Sequence, residues 1–336
     1  MSIPITVVSG FLGAGKTTLI NHVLAGTKLA AEEIIIIENE FGEVGVDHEL
    51  LLQSQERIFQ MNNGCICCSL RTDLINALEA ISELLVDQGF PIQQVIIETS
   101  GIADPQPILQ TILTTPNIRS NYYLDSVITV VDSEHFEAHW QHPESLKQLA
   151  VADRIFISEK SEECKEAVSA IIEQVSAINP LADFRFFSKD KEEELIAAQV
   201  LALDKFHRDL EVSEDRDEEQ HHHHHHHDAL HHSYEAVHLK GDGAVSEELL
   251  RSWLEWLMLT NPGNIFRIKG FIPIAGQKFL TAVQGVNESI GFHLTDRDAE
   301  EKGSELVLIG RDLNPLMIRA AFQIVQDASK EDPFAS

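Results

Sequence analysis

Three groups of residues have the types and the spacing to carry chemistry. Gly10-Phe11-Leu12-Gly13-Ala14-Gly15-Lys16-Thr17 fills every position of G-x-x-x-x-G-K-[ST], and Thr18 follows it. An apolar run precedes the motif and a helical pattern follows it. In that context the glycines let backbone N–H groups curl around phosphate oxygens at a helix N-terminus. Lys16 then bridges the β- and γ-phosphates, and the Thr17 hydroxyl holds Mg(II). Val95-Ile96-Ile97-Glu98-Thr99-Ser100-Gly101 sets an acid at the end of an apolar strand. P-loop enzymes keep there a carboxylate that supports Mg(II) or the attacking water, and Gly101 lets the backbone approach the terminal phosphate. Lys16, Thr17 and Glu98 are the candidate catalytic residues.

The second group is sulfur. Asn63-Gly64-Cys65-Ile66-Cys67-Cys68 holds three of the four cysteines. Thiolates this close favour Zn(II) or Cu(I) over hard cations and are too cramped for an ordinary disulfide framework. They leave a fourth position for another ligand or for exchange; inert buried cysteines or a redox pair are the plainer alternatives. Cys164, alone on an amphipathic pattern, reads as core. Glu38-Asn39-Glu40-Phe41-Gly42-Glu43, with Asp47, adds carboxylates just after a strand. A nucleotide-sensing switch belongs at such a place, and a solvated loop is the bland reading. The third group is His221, His222, His223, His224, His225, His226 and His227, followed by His231 and His232. With pKa values near ~6.5, much of this run is neutral at pH 7 and able to chelate metal as a flexible chain. His135 and His139 have helical spacing and read as a solvated face.

These groups need a scaffold of strand ends and helix starts. Apolar β-branched runs at 3–9, 33–38, 57–61, 93–98, 126–132, 154–158 and 183–187 alternate with helical patterns at 16–26, 69–87, 106–114, 144–152 and 161–178. Alternation of this kind predicts an α/β domain over 1–206, a mostly parallel sheet with helices on both faces. Residues 207–233 hold almost no apolar side chains and read as a flexible acidic and His-rich linker. A smaller α+β domain is expected over 234–330. There the alternation of Val237 and Leu239 with polar neighbours predicts a strand, Ser246 is the N-cap of a helix, strands run at 265–274, 278–286 and 305–309, and a last helix spans 315–326.

Composition narrows the function. With 54 Asp and Glu against 25 Lys and Arg the formal charge is −29, which excludes the basic footprint of a nucleic-acid binder and disfavours an anionic membrane surface. No apolar run approaches the ~18–20 residues that span a bilayer, and the expected location is the cytoplasm. Residues 211–219 alone carry six carboxylates against one Arg, directly before the histidines.

Together the motifs resemble the CobW family of P-loop GTPases, related to the nickel-insertion GTPases of hydrogenase and urease. The resemblance rests on Gly10–Thr18, Glu38–Glu43, Gly64-Cys-Ile-Cys-Cys68, Glu98-Thr-Ser-Gly-Ile-Ala-Asp-Pro105 and Ala152-Asp-Arg-Ile155. In the second half it rests on Arg267–Gly270, Val283–Val286 and Ile318–Phe322. It implies a P-loop GTPase domain followed by a CobW-type C-terminal domain. It also implies a GTP-hydrolysing metallochaperone, using Mg(II) with GTP, that carries Zn(II), or Co(II) or Ni(II), to a client metalloprotein; a homodimer is one admissible assembly. By position Cys65, Cys67 and Cys68 match the family's metal motif, and Glu38 and Glu43 lie where relatives supply carboxylate ligands. The guanine-reading element departs from the family: Phe156-Ile-Ser-Glu159-Lys160-Ser161-Glu162 keeps Lys160 to stack on a base but offers Glu162 for the usual Asp, shifted by one residue. Weaker or less selective GTP binding is the expectation. A passive metal buffer is the competing reading.

Overall fold

Runs of Ile and Val buried on both faces make strands, and in the computed structural model these strands pair in parallel. The structure describes residues 2–39, 58–61, 68–86, 89–140, 142–158, 165–188, 192–206, 234–300 and 302–331. Glu43, Cys65, Cys67, Lys160, Glu162, Cys164, the 207–233 segment and with it His221–His227 lie outside the described residues. The chain divides into two compact units, Met1–Gln174 with Ala182–Arg208, and Val175–Leu181 with Asp209–Ser336.

Among the described residues of the first unit, seven strands form one sheet: β1 (Ile3–Gly10), β2 (Ile34–Asn39), β3 (Ile58–Met61), β4 (Gln94–Glu98), β5 (Tyr122–Asp132), β6 (Arg154–Ser158) and β7 (Asp183–Phe187). Their order is β3-β2-β4-β1-β5-β6-β7, every pair parallel. Parallel pairing needs a crossover between strands, so all the strands end on one edge, where open α/β sheets bind ligands. Helix α1 (Lys16–Gly26) buries Leu19, Ile20 and Val23 with Val8, Ile36, Ile96, Ile128 and Phe156. The helix expected over 69–87 is α-helical over Cys68–Ala80 and continues as a π-helical turn, Ile81–Val86.

The Ala152-Asp-Arg motif joins strands. Asp153 Oδ2 accepts the Val127 N–H at 2.9 Å, while Arg154 Nε and Nη2 each donate to Asp183 at 2.7 Å. Lys205 Nζ lies 2.7 Å from the same carboxylate. Burial pushes the Asp183 carboxyl up, but the hydrogen bonds and charges of Arg154 and Lys205 outweigh it and leave it below the usual range.

The second unit is an antiparallel sheet of β8 (Tyr234–Gly241), β9 (Ile265–Ile272), β10 (Phe279–Val286), β11 (Ser289–Asp298) and β12 (Ser304–Arg311), in the order β11-β10-β9-β12-β8. Leu250, Trp253, Leu254 and Leu257 of helix Glu247–Thr260 pack with Ile268, Leu308 and Phe322 into its core. Ser246 occupies the N-cap position, but its hydroxyl makes no cap bond; its N–H donates to Ser329 Oγ at 2.9 Å instead. Strand β11 is not among the strands expected from patterning. It is an edge strand, largely exposed from His293 onward, and carries no run of buried apolar residues to announce it. Among the described residues no helix is long and apolar enough to cross a membrane.

Candidate functional site

The turn from β1 into α1 takes a shape that side chains oppose. Gly10, Gly13 and Gly15 have φ of 141°, 78° and 102°, the half of conformational space open mainly to glycine. A Cβ on Gly10 would strike the Val130 carbonyl of neighbouring β5. The motif glycines are therefore fixed by backbone geometry as well as by any ligand. Gly101 has a different reason to lack a side chain. A Cβ there would stand 2.5 Å from Leu12 Cα and 2.6 Å from Leu12 N, so the loop after Glu98 packs directly on the P-loop backbone.

Between these two segments opens a cleft of about 600 Å³, within the ~300–1,000 Å³ of small-molecule sites. Leu12, Gly13, Gly15, Lys16, Thr17 and Thr18 line one wall, Glu98 to Ile102 the other, and Glu38 completes it. Phe11 and Ala14 face away from the cleft, into a small void with His139 and Gln148. Lys16 is buried, and its Nζ donates to the carbonyls of Gly10 at 3.0 Å and Phe11 at 3.4 Å. Burial holds its ammonium below the usual lysine range, with the Glu98 carboxylate partly offsetting that. A poorly solvated cation at a glycine-rich turn that opens a helix is a receptor for anionic phosphate.

Thr17 Oγ1 donates to Glu98 Oε1 at 2.9 Å. These two hard oxygen donors, from α1 and from the end of β4, suit Mg(II), which prefers one or two carboxylates together with substrate phosphates. Glu38 stands beside them: it is the register partner of Glu98 across β2 and β4, and of Gln60 across β2 and β3. Two candidate site carboxylates thus stand at the ends of adjacent parallel strands, Glu98 last in β4 and Glu38 next to last in β2. β3 stops at Met61, four residues before Cys65, and Cys68 opens the helix Cys68–Ala80.

Three contributors lie outside the residues picked out from the sequence. Gln148 Nε2 donates to the carbonyls of Gly101 at 3.3 Å and Ala103 at 3.0 Å, and Lys147 Nζ reaches Asp104 Oδ2 at 2.7 Å. Helix Pro143–Val151 thereby grips the loop that follows Glu98. Thr99 Oγ1 is buried on the cleft wall without a hydrogen-bond partner among the described residues, a state that a polar ligand would relieve. The signal for Gln148 is a polar residue between Leu146 and Leu149 on the buried face of its helix.

A model of the CobW/HypB/UreG nucleotide-binding domain matches residues 4–186, and one of the cobalamin synthesis protein CobW C-terminal domain matches residues 234–325. The chain is 31% identical to the zinc chaperone YjiA of Escherichia coli, over 95% of this chain and 98% of that protein. It is 31% identical to the zinc chaperone CobW of Pseudomonas aeruginosa, over 94% and 89% respectively. The crystal structure of the Zn(II)-bound YjiA GTPase from E. coli superposes with a TM-score of 0.71 at 26% identity, covering 97% of this chain and 99% of that one.

Proposed function

The chain belongs to the CobW/HypB/UreG family, and on that premise we propose that it is a cytoplasmic GTP-hydrolysing metallochaperone whose hold on Zn(II) depends on the bound nucleotide. Zinc is the cargo, held by Cys65, Cys67 and Cys68 with carboxylate help from Glu38 and Glu43, and a client metalloprotein receives it. The relatives' description as zinc chaperones favours Zn(II) over Co(II) or Ni(II). The histidines at 221–227 act as a capture segment for the same ion.

One observation carries the coupling: Glu38 is in register with Glu98 on adjacent strands. A group that answers to the γ-phosphate at Glu98 therefore sits beside a candidate zinc ligand. β2 itself pairs with β3, the strand from which the chain runs on to the cysteines. Gain and loss of the γ-phosphate is the usual trigger for such segments.

Within the cleft the backbone N–H groups of the P-loop bind the phosphates. Lys16 leaves the Gly10 and Phe11 carbonyls to meet the β- and γ-oxygens, neutralising charge that develops in transfer. Glu98, held by Thr17, orients the attacking water or the ion, and Gly101 keeps its segment close to the P-loop. Thr17 and Glu98 would hold Mg(II), which would supply further neutralisation of the phosphate oxygens. Lys160 stacks on the base, and Glu162 in place of Asp makes guanine recognition weaker than the family's usual fit.

Phosphate release from GTP and ATP at defined free Zn(II), together with the metal content of the purified protein, tests this reading. GTP turnover that falls about 10²–10³-fold in Lys16→Ala, and bound zinc that falls in Cys67→Ser, are expected. Equal or tighter binding of ATP would overturn the guanine assignment. Hydrolysis of neither nucleotide, with or without zinc, would leave a passive metal buffer.

A further inference from the structure

A second group of metal-ligating side chains stands where β5 ends. Asp132, Glu134 and His135 each bring a ligand atom within 4.8 Å of the other two, Asp132 buried and the others exposed. Asp132 Oδ2 lies 2.8 Å from His135 Nδ1, and Asp132 Oδ1 accepts the Glu134 N–H at 3.0 Å. Ser133 Oγ donates to the Ser158 carbonyl at the end of β6, 2.6 Å away. The turn that carries all three ligands is thus tied down by its own backbone and by a neighbouring strand. From sequence alone His135 reads as part of a solvated helix face. The side chain is indeed exposed, and folding also brings its ring onto a buried carboxylate.

Ligands placed ~2.0–2.1 Å from a tetrahedral ion stand about 3.3 Å apart. A set already within 4.8 Å needs only side-chain adjustment to close on one ion, with water on the exposed side. One imidazole and two carboxylates, without sulfur, suit zinc and its neighbours in the first transition row. The site also adjoins the P-loop. The His139 ring stacks 6.1 Å from that of His135 and lies 4.4 Å from the Phe11 ring, and His142 approaches Phe11 from 4.8 Å.

We propose that Asp132, Glu134 and His135 form a thiolate-free site for a divalent transition ion of zinc's class, separate from the cysteine motif and two ring contacts from the P-loop. The site does not depend on the chaperone reading, because it involves none of the residues on which that reading rests.

The test uses the full chain with Cys65→Ser, Cys67→Ser and Cys68→Ser, and with serine replacing each histidine from His221 to His227 and at 231 and 232. Co(II) and Zn(II) are titrated against a chromophoric chelator. The expected result is one ion per chain, with visible Co(II) d–d bands and no near-ultraviolet thiolate charge transfer. His135→Ala, at an exposed position, should weaken binding tenfold or more. So should Asp132→Asn, which keeps an acceptor for the Glu134 N–H and hence the turn. A background protein that binds no Co(II), or an affinity unchanged in both variants, would overturn the proposal.

Discussion

In the parallel sheet of the first unit, the polar side chains at the candidate site stand at or beside strand ends: Glu38 is next to last in β2, Glu98 ends β4 and Asp132 ends β5. In the antiparallel sheet of the second unit, Arg267, Lys269 and Gln284 lie inside β9 and β10 and are buried there, Lys269 in register with Gln284. The difference lies in what a side chain is free to meet. A strand end on the ligand-binding edge faces the loops and helix N-termini of a cleft, whereas a mid-strand position is enclosed by its sheet neighbours. The first unit therefore holds the carboxylates of its candidate site where a phosphate or a metal can reach them, and keeps the Arg154–Asp183 pair for its own structure. The second encloses Arg267 and Lys269 within its sheet, away from any strand end.

Substitutions in the two sheets should separate these roles. The largest effect is expected from Lys16→Ala, which removes the buried cation of the cleft: GTP turnover should fall about 10²–10³-fold with little change in Tm. Phosphate release and thermal unfolding measured side by side check it, and surviving turnover would move the chemistry out of this cleft. Gly101→Ala comes next. Its Cβ meets Leu12 backbone, which cannot rotate aside as a side chain can. A cost of about 1–3 kcal/mol and weaker nucleotide binding should appear together in denaturant unfolding and nucleotide titration.

Asp183→Asn, at the edge of the first sheet, should cost about 1.5 kcal/mol at neutral pH and change the pH dependence of stability. Because the folded carboxyl is held below the usual range, the unfolded chain takes up its proton first, near pH ~3.9. The stabilisation is complete above that value and is lost as pH falls through the folded pKa. The variant should flatten this acid-side decline in a series of unfolding curves. The smallest effect is expected from Ile268→Val in the second unit's core, about 0.5–1.5 kcal/mol, with turnover per folded molecule unchanged. A change in kcat there would break the contrast between the units.

The parts of the site that sequence made legible are those set by local spacing or by strand ends. Gly10–Thr17 is contiguous, and Glu98 could be assigned because an Ile-rich run of parallel-strand type must deliver its last residue to the same edge as the P-loop. The pairing of Thr17 with Glu98, 81 positions apart, follows from that topology. What stayed hidden depends on packing between segments remote in sequence. The Gly101–Leu12 approach, the grip of Gln148 on the Gly101 and Ala103 carbonyls, and the contact of Phe11 with His139 and His142 leave no periodic trace. The turn at Asp132 is a similar case: four residues in a row show neither that Asp132 is buried nor that His135 faces it. Strand β11 escaped notice because its exposed half buries nothing, so no apolar alternation marks it. Ser246 was legible as a position but not as a bond, since its N–H found Ser329 across the unit's own core.

The central claim is that zinc affinity depends on the nucleotide, and one set of titrations tests it directly: Zn(II) binding to the full chain with a non-hydrolysable GTP analogue, with GDP and with no nucleotide. Glu38 beside Glu98 predicts affinities that differ between the GTP and GDP states by a factor of about 5–150, the usual span of coupling between two sites, with zinc changing nucleotide affinity by the same factor. Three identical zinc affinities would contradict it.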